Sequence, residues 1–354
     1  MLALGRGAGL IEMPNGDRLR VGMLAPISWR VPPRHYGPWE RVVSILTEGL
    51  AVRGVDVTLF ATADSVTRAR LHAVAPRGYS EDASIDVKVV EGLHIAAAFE
   101  RAGDFDLIHN QFDFLPLTYS RLVRTPVVTT IHGFSSERIV PVFRAYNDIG
   151  HYVAISDADR HPGLRYAATI HHGIPLEEFT LRGRPGSYLL YFGRIHPDKG
   201  AKEAVQLARR CDLPLVLAGI IHDEPYFAEH IQPFLDGEQI RYVGSVGPVE
   251  RDALLGGALA LVHLINFAEP FGLSVVEAMA TGTPVIARPL GSMPEVIDEG
   301  VTGFLVEDVD RAVDAVRLVR TLDRRSVRAR AALRFSSDRM VEDYLRLYQR
   351  VVRR

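Results

Sequence analysis

Glu269-Pro270-Phe271-Gly272-Leu273-Ser274-Val275-Val276-Glu277 runs from a loop, ended by Pro270 and Gly272, directly into an apolar helical pattern. The first turn of a helix leaves backbone N–H groups without intrahelical acceptors, so those near Gly272, Leu273 and Ser274 form a seat for phosphate. Glu277 lies four residues after Leu273 and three before Ala280, which puts it in the apolar stripe. An ionised carboxylate there is costly unless something hydrogen-bonds it. A ligand diol would do so; the other reading is a glutamate that escapes to solvent, and position alone leaves both open.

Working outward, apolar runs of strand length alternate with amphipathic stretches of helix length. Val21–Ala25, Val55–Ala61, Leu107–His109, Pro126–His132, Tyr152–Ile155 and Ala168–His171 read as strands, with helices at Trp39–Val52, Ile85–Arg101 and Ser136–Tyr146. The alternation breaks at His171–Ser187, rich in glycine, proline and charge, and restarts with Tyr188–Phe192. Leu215–Ala218, Ile240–Val243, Ala260–Ile265, Pro284–Ala287 and Gly303–Val306 continue the strands, with helices at Ala201–Arg210 and Pro225–Leu235. Near-continuous apolar strands separated by helices predict parallel sheets covered on both faces. The expected fold is α/β: two doubly wound domains facing across a cleft. The expected segments are a flexible extension over 1–18, a first domain over 19–172, a linker over 173–186, a second domain over 187–335 and a C-terminal helix over 336–354 that packs back on the first domain. In open α/β sheets the ligand sits at the carboxyl ends of the strands, so facing sheets place it in the cleft.

Composition narrows the function. The 354 residues carry 41 basic and 43 acidic side chains, a net charge of −2, which offers no electrostatic footprint for nucleic acid. No run approaches the ~20 apolar residues of a membrane span. The single cysteine, Cys211, makes no internal disulfide and fits a reducing, cytoplasmic setting. Arg6 is not followed by the apolar stretch of a secretory signal. Only Lys88, Lys199 and Lys202 are lysines.

One of those lysines stands in Gly193-Arg194-Ile195-His196-Pro197-Asp198-Lys199-Gly200, a turn after the first strand of the second half. Two cations there suit a diphosphate; two exposed charges capping a turn is the plainer alternative. His132 ends a strand before Gly133 and by itself reads more readily as a core histidine capping that strand than as a site residue. His171 and His172 have no third ligand at zinc-like spacing. Of the Asp-x-Asp strings, Asp104/Asp106 precede a strand, while Asp157/Asp159 and Asp308/Asp310 read as helix starts. No metal is expected.

The segments GRIHPDKG and EPFGLSVVEAMATGTPVIARPLGSMPEVIDEGVTGFLV, with APISWRVPPRHYGPWERVV, DLIHNQ, TIHG, VAIS and HHGIP, resemble glycosyltransferase family 4, retaining enzymes of the two-Rossmann GT-B fold. The resemblance runs from about Arg20 to the C-terminus. It implies that Arg194 and Lys199 hold the donor diphosphate and that backbone groups at Phe271, Gly272 and Leu273 contact donor oxygens. It gives Glu269 the donor-sugar hydroxyls, Glu277 the nucleotide ribose, and His132 an approach to the sugar from the first domain. Gly37 would lie near the diphosphate or acceptor, although many relatives carry Gly-Gly where this chain has Gly37-Pro38.

The implied reaction is transfer of a hexose from a UDP-, GDP- or ADP-sugar to an acceptor hydroxyl, with retention and without a cofactor. A sugar phosphorylase, a nucleotide-sugar epimerase and a non-catalytic sugar-binding protein are the alternatives on this architecture. Arg30, Arg34, Tyr36 and Trp39, with Trp29 and His35, crowd one loop and suit a stacked sugar or an anionic acceptor. The other reading is that the tryptophans anchor a proline-rich loop. With no basic amphipathic face evident, a soluble small molecule or saccharide is the expected acceptor.

Overall fold

The structure is a computed structural model that describes residues 18–134 and 136–353. The extension expected over 1–18 lies outside them, apart from Arg18. The first half contributes β1 (Arg20–Leu24), β2 (Asp56–Phe60), β3 (Arg70–His72), β4 (Leu107–Asn110), β5 (Val127–Ile131), β6 (His151–Ala154) and β7 (Tyr166–Thr169). They form a parallel seven-stranded sheet in the order β3-β2-β1-β4-β5-β6-β7.

The second half contributes β8 (Tyr188–Phe192), β9 (Leu215–Ala218), β10 (Ile240–Tyr242), β11 (Ala258–His263), β12 (Val285–Ala287) and β13 (Gly303–Leu305). Its parallel six-stranded sheet has the order β10-β9-β8-β11-β12-β13. The central strand β11 is buried at every residue, which is why Ala258–His263 shows no polar alternation. In both sheets the chain order reverses beside the first strand, between β1 and β4 and between β8 and β11. A crevice opens at such a switch point.

The halves are joined by two crossings of the chain. The outgoing crossing passes Ile174, and the returning one passes Phe335–Ser337. They are laced together by Ile174 N donating to Phe335 O at 2.9 Å and Ser337 N donating to Ile174 O at 2.9 Å. The helix Ser337–Val352 then buries Met340, Tyr344, Leu347, Tyr348 and Val351 in the first half's core, among Val21, Met23, Val42 and Leu46. Each such side chain contributes about 1.5–3 kcal/mol when fully buried, so the last helix is an integral wall of the first domain.

Several local expectations change. The stretch 136–146 is a 3-10 turn at Glu137–Ile139 followed by a helix over Val140–Ala145. Pro141 has no N–H to extend an α-helix backwards, so it sits in a first turn instead. The helix expected over 225–235 stops at His230, and Gln232–Phe234 is a 3-10 turn around Pro233. Strand β7 is slipped two residues toward the N-terminus, and β3 (RLH) is too short and exposed to leave a pattern. Asp157 and Asp159 lie in a turn after β6 and start no helix, whereas Asp308 caps Val309–Leu318.

Candidate active site

The cleft between the sheets holds a cavity of about 270 Å³ lined from both halves. On the second domain, Arg194 follows β8 directly, and its carbonyl accepts the buried Tyr191 hydroxyl at 2.5 Å, which pins the turn. Lys199 ends the 3-10 turn Pro197–Lys199. Its Nζ lies 2.7 Å from Glu269 Oε2 and 4.2 Å from the centre of the Phe267 ring. The two residues assigned to diphosphate and to sugar hydroxyls are therefore an ion pair, with side chains 18% and 13% exposed. His263, at the end of β11, stands 3.8 Å from Glu269. Burial drives its pKa down to about 4 against the pull of Glu269, so it faces that carboxylate uncharged.

Gly272 (φ +87°) caps the helix Leu273–Ala280, whose first turn opens into the cleft. Phe271 is 2% exposed and packs beneath it, 5.0 Å from the His172 ring and 5.8 Å from Phe335. Glu277 is buried and does not reach solvent. Its Oε1 lies 3.5 Å from Arg41 Nε and 3.3 Å from Arg251 Nη1. Both arginines also hold Glu178 of the linker, at 2.7 and 3.2 Å. Burial works against charge on Arg41, but Glu277 and Glu178 outweigh it and its pKa is raised. Arg41 comes from the first domain and Arg251 from the second, so this quartet bridges the cleft. Neither arginine was marked as a site residue by the sequence, although Arg41 lies in the first turn of the helix that follows Gly37, within the segment APISWRVPPRHYGPWERVV.

From the first domain, Gly37 (φ +147°) caps the helix Pro38–Val52, and a Cβ there would lie 2.8 Å from Pro33 and 3.0 Å from the Glu40 carboxylate. Pro38 takes the first helical position, where the N–H has no helical partner anyway. The helix keeps its start but offers the cleft one donor fewer than glycine would. Trp39 stacks on His132 at 5.2 Å with planes 21° apart. Both lie in the cavity wall, as does Tyr36, whose pKa is raised by burial against the opposing field of Arg194. Arg30 and Arg34 are not among the cavity-lining residues. Arg30 Nε donates to Pro32 O at 2.9 Å, and Arg34 pairs with Glu81 at 3.0 Å and Asp64 at 3.3 Å. Their polar contacts serve the loop and its neighbours. Of the two linker histidines, His171 bonds Glu295 and His172 bonds His132.

The buried titratable groups give stability a signed pH dependence. Burial lowers His94 and His263 to about 4, His109 and His132 to about 3, and His172 well below 6.5. Between those values and 6.5 the unfolded chain binds protons that the folded chain does not, so stability rises with pH through that window and is complete above it. Four carboxyls act oppositely, because burial raises Glu40 and Asp159 to about 7, Asp113 to about 6 and Glu91 above its ordinary value. Their contribution is full below the ordinary carboxyl range and is lost as pH rises through the raised values. The five buried imidazoles outweigh them. The thermal midpoint is expected to climb from about pH 4 to 6.5 and then level off toward pH 8. Calorimetry across that range checks it, and Glu40→Gln, which removes an opposing group, should steepen the climb.

Two facing parallel sheets with a cleft between them are the GT-B architecture. Solved structures of that kind superpose over most of the chain. AviGT4, a glycosyltransferase involved in avilamycin A biosynthesis, gives a TM-score of 0.72 at 24% identity, covering 95% of this chain and 98% of that one. Alr3699/HepE of Anabaena, solved with UDP and glucose, gives 0.71 at 17%, covering 93% and 99%. Two family profiles lie end to end along the sequence, Glycosyltransferase Family 4 over residues 39–178 and Glycosyl transferases group 1 over 180–333. The phosphatidyl-myo-inositol mannosyltransferase of Mycobacterium leprae (strain TN) is 27% identical over 94% of this chain and 97% of its own length. The chain belongs to glycosyltransferase family 4, and the protein is a glycosyltransferase. Among the described residues no helix is long and apolar enough to cross a membrane.

Proposed function

We propose that this enzyme transfers a hexose from a nucleoside-diphosphate sugar to a hydroxyl of a small-molecule or saccharide acceptor, with retention and without a metal. The observation that carries the reading is the convergence of Arg194, Lys199, Glu269, Glu277 and the Gly272 helix start on one cavity. In the reaction the bond from the anomeric carbon to the diphosphate oxygen breaks and its electron pair stays with the diphosphate. The acceptor oxygen bonds to the same face of the sugar, and its proton passes to the departing diphosphate.

Negative charge develops on the leaving group, and the two cations and the helix N–H groups are aimed at it before the reaction starts. That fixed positive charge is what makes a metal unnecessary in this reading. Retention through a covalent intermediate would need a carboxylate nucleophile opposite a second carboxyl group. In this reading Glu269, paired with Lys199, accepts hydrogen bonds from sugar hydroxyls instead. Glu277, clamped on one oxygen, would receive the ribose diol.

A thermal-shift panel of UDP, GDP, ADP, their glucose and mannose conjugates and inorganic phosphate, with and without EDTA, tests this. A ligand at 100 times its Kd that binds only the folded state stabilises it by about 2.7 kcal/mol. Selective stabilisation by one nucleotide, unchanged by EDTA, is the expected result. Stabilisation by phosphate alone, or by no nucleotide, would overturn the donor assignment, and loss of the shift in EDTA would overturn metal independence.

A further inference from the structure

Behind the cleft wall runs a buried chain of polar groups that ends on the C-terminal helix. Gln111, directly after β4 and fully buried, places Oε1 2.6 Å from His132 Nε2 and Nε2 3.5 Å from His109 Nδ1. His109 Nδ1 lies 2.6 Å from the Tyr348 hydroxyl, and His109 Nε2 lies 2.8 Å from Thr130 Oγ1. Thr130 Oγ1 in turn lies 2.8 Å from the Tyr344 hydroxyl. On the cleft side, His132 Nδ1 lies 3.3 Å from His172 Nε2, and the buried His172 Nδ1 has no partner among the described residues.

Proton counting selects one arrangement. An amide oxygen only accepts, so His132 Nε2 carries its hydrogen and the neutral ring's Nδ1 is an acceptor. His172 Nε2 must then donate to it, which leaves His172 Nδ1 as a bare acceptor. At the other end the Tyr348 hydroxyl, at 2.6 Å, takes the single lone pair of His109 Nδ1, the amide NH₂ only faces that nitrogen at 3.5 Å, and His109 Nε2–H donates to Thr130. Turning the amide over reverses the steps at His132 and His172 and makes His172 Nδ1–H an orphaned buried donor, a rarer and costlier defect than an unfilled acceptor. Trp39, stacked on His132, fixes the plane of the ring but says nothing about its protons.

We infer that Gln111 is a positioning residue that holds His132 as the uncharged Nε2–H tautomer. The consequence for transfer rests on the function proposed above. Positive charge grows on the sugar ring in the transition state, and an imidazolium in the cleft wall would oppose it. With both ring nitrogens engaged by protein, His132 serves as a neutral, fixed wall and exchanges no proton with substrate.

The test uses the full chain labelled with ¹⁵N-histidine, read by two-bond ¹H–¹⁵N correlation at pH 7 without substrate. The expected result is Nε2–H for His109, His132 and His172. Gln111→Leu removes the acceptor and should turn His132 into a tautomer mixture; Tyr348→Phe leaves both His132 partners in place and should not. In Gln111→Leu, kcat should fall about 10- to 100-fold with donor KM within threefold. An Nδ1–H His132 in the unaltered protein, or a His132 tautomer indifferent to Gln111→Leu, overturns the inference. Should Gln111→Leu not fold, the unaltered protein and Gln111→Asn, which withdraws the amide from His132 without added bulk, still decide. Because the tautomers are read without donor, a failure of nucleotide binding would sink the proposed function and leave this inference to its own result.

Discussion

Glu269→Ala and Lys199→Ala are expected to move nucleotide affinity in opposite directions while both abolish most turnover. The reason is their 2.7 Å ion pair inside the cleft. Removing Glu269 frees the Lys199 ammonium to meet the diphosphate without competition, so Kd for the nucleoside diphosphate should stay level or tighten. Removing Lys199 leaves the Glu269 carboxylate without its partner beside an anionic ligand, and Kd should rise at least tenfold, about 1.4 kcal/mol. In both variants kcat should fall by about 10²–10³-fold, the cost of one preorganised group aimed at the transition state. Titration calorimetry with the free nucleotide, beside steady-state kinetics, separates the two effects. Equal weakening of nucleotide binding in both variants would show that the pair acts as one structural unit and would remove the sugar-hydroxyl role from Glu269.

Gly291→Ala should damage the same site from behind. Gly291 has φ +59°, and a Cβ built on it would lie 2.3 Å from Glu269 O and 2.4 Å from Glu269 N. The contact is with backbone, so no side-chain rotation relieves it. Ser292 N also donates to Glu269 O at 2.8 Å, so the two segments cannot separate without breaking that bond. The 269–272 loop must shift by about an ångström, a displacement that costs about 10²-fold in turnover. Gly300→Ala is the control, because it has a similar φ of +71° but no atom within 4 Å of the added Cβ. It should lose only the conformational part, about 1 kcal/mol, with kcat intact. Comparable kcat losses in the two variants would mean that the close approach to Glu269 is not what matters.

The sequence carries the site unevenly, and the pattern of gains and misses has a physical cause. Gly272, Leu273 and Glu277 are legible because one helix places them at fixed spacing, and Arg194 and Lys199 because a strand and a turn deliver them together. The Lys199–Glu269 pair joins residues 70 apart, and the Arg41–Glu277–Arg251–Glu178 quartet joins both domains and the linker. No local period encodes how two sheets face each other, so Arg41 and Gln111, although inside the segments APISWRVPPRHYGPWERVV and DLIHNQ, were not marked as site residues, and Arg251 had no signal of its own. The same limit explains Glu277, whose partners turn out to be arginines already present in the protein. The sheets themselves were most legible where strands are fully buried, as in β5 and β9, although β11 is slipped two residues from its expected place, and least so at the edges. There β3 is exposed and β7 is only partly covered, so neither needs an apolar run.

The helix Ser337–Val352 has a consequence for how the molecule comes into being. It supplies Met340, Tyr344, Leu347, Tyr348 and Val351 to a core whose other members begin at Leu19. A ribosome makes those five side chains only after the whole second domain. Among the described residues the second domain's own cores draw nothing from beyond Phe335, so it can close while the first is still waiting for its final wall. Synthesis order and completion order are thus inverted. The domain begun first is finished after the second, and a growing chain presents an open apolar trough along the helix Pro38–Val52 until Ser337–Val352 has been made.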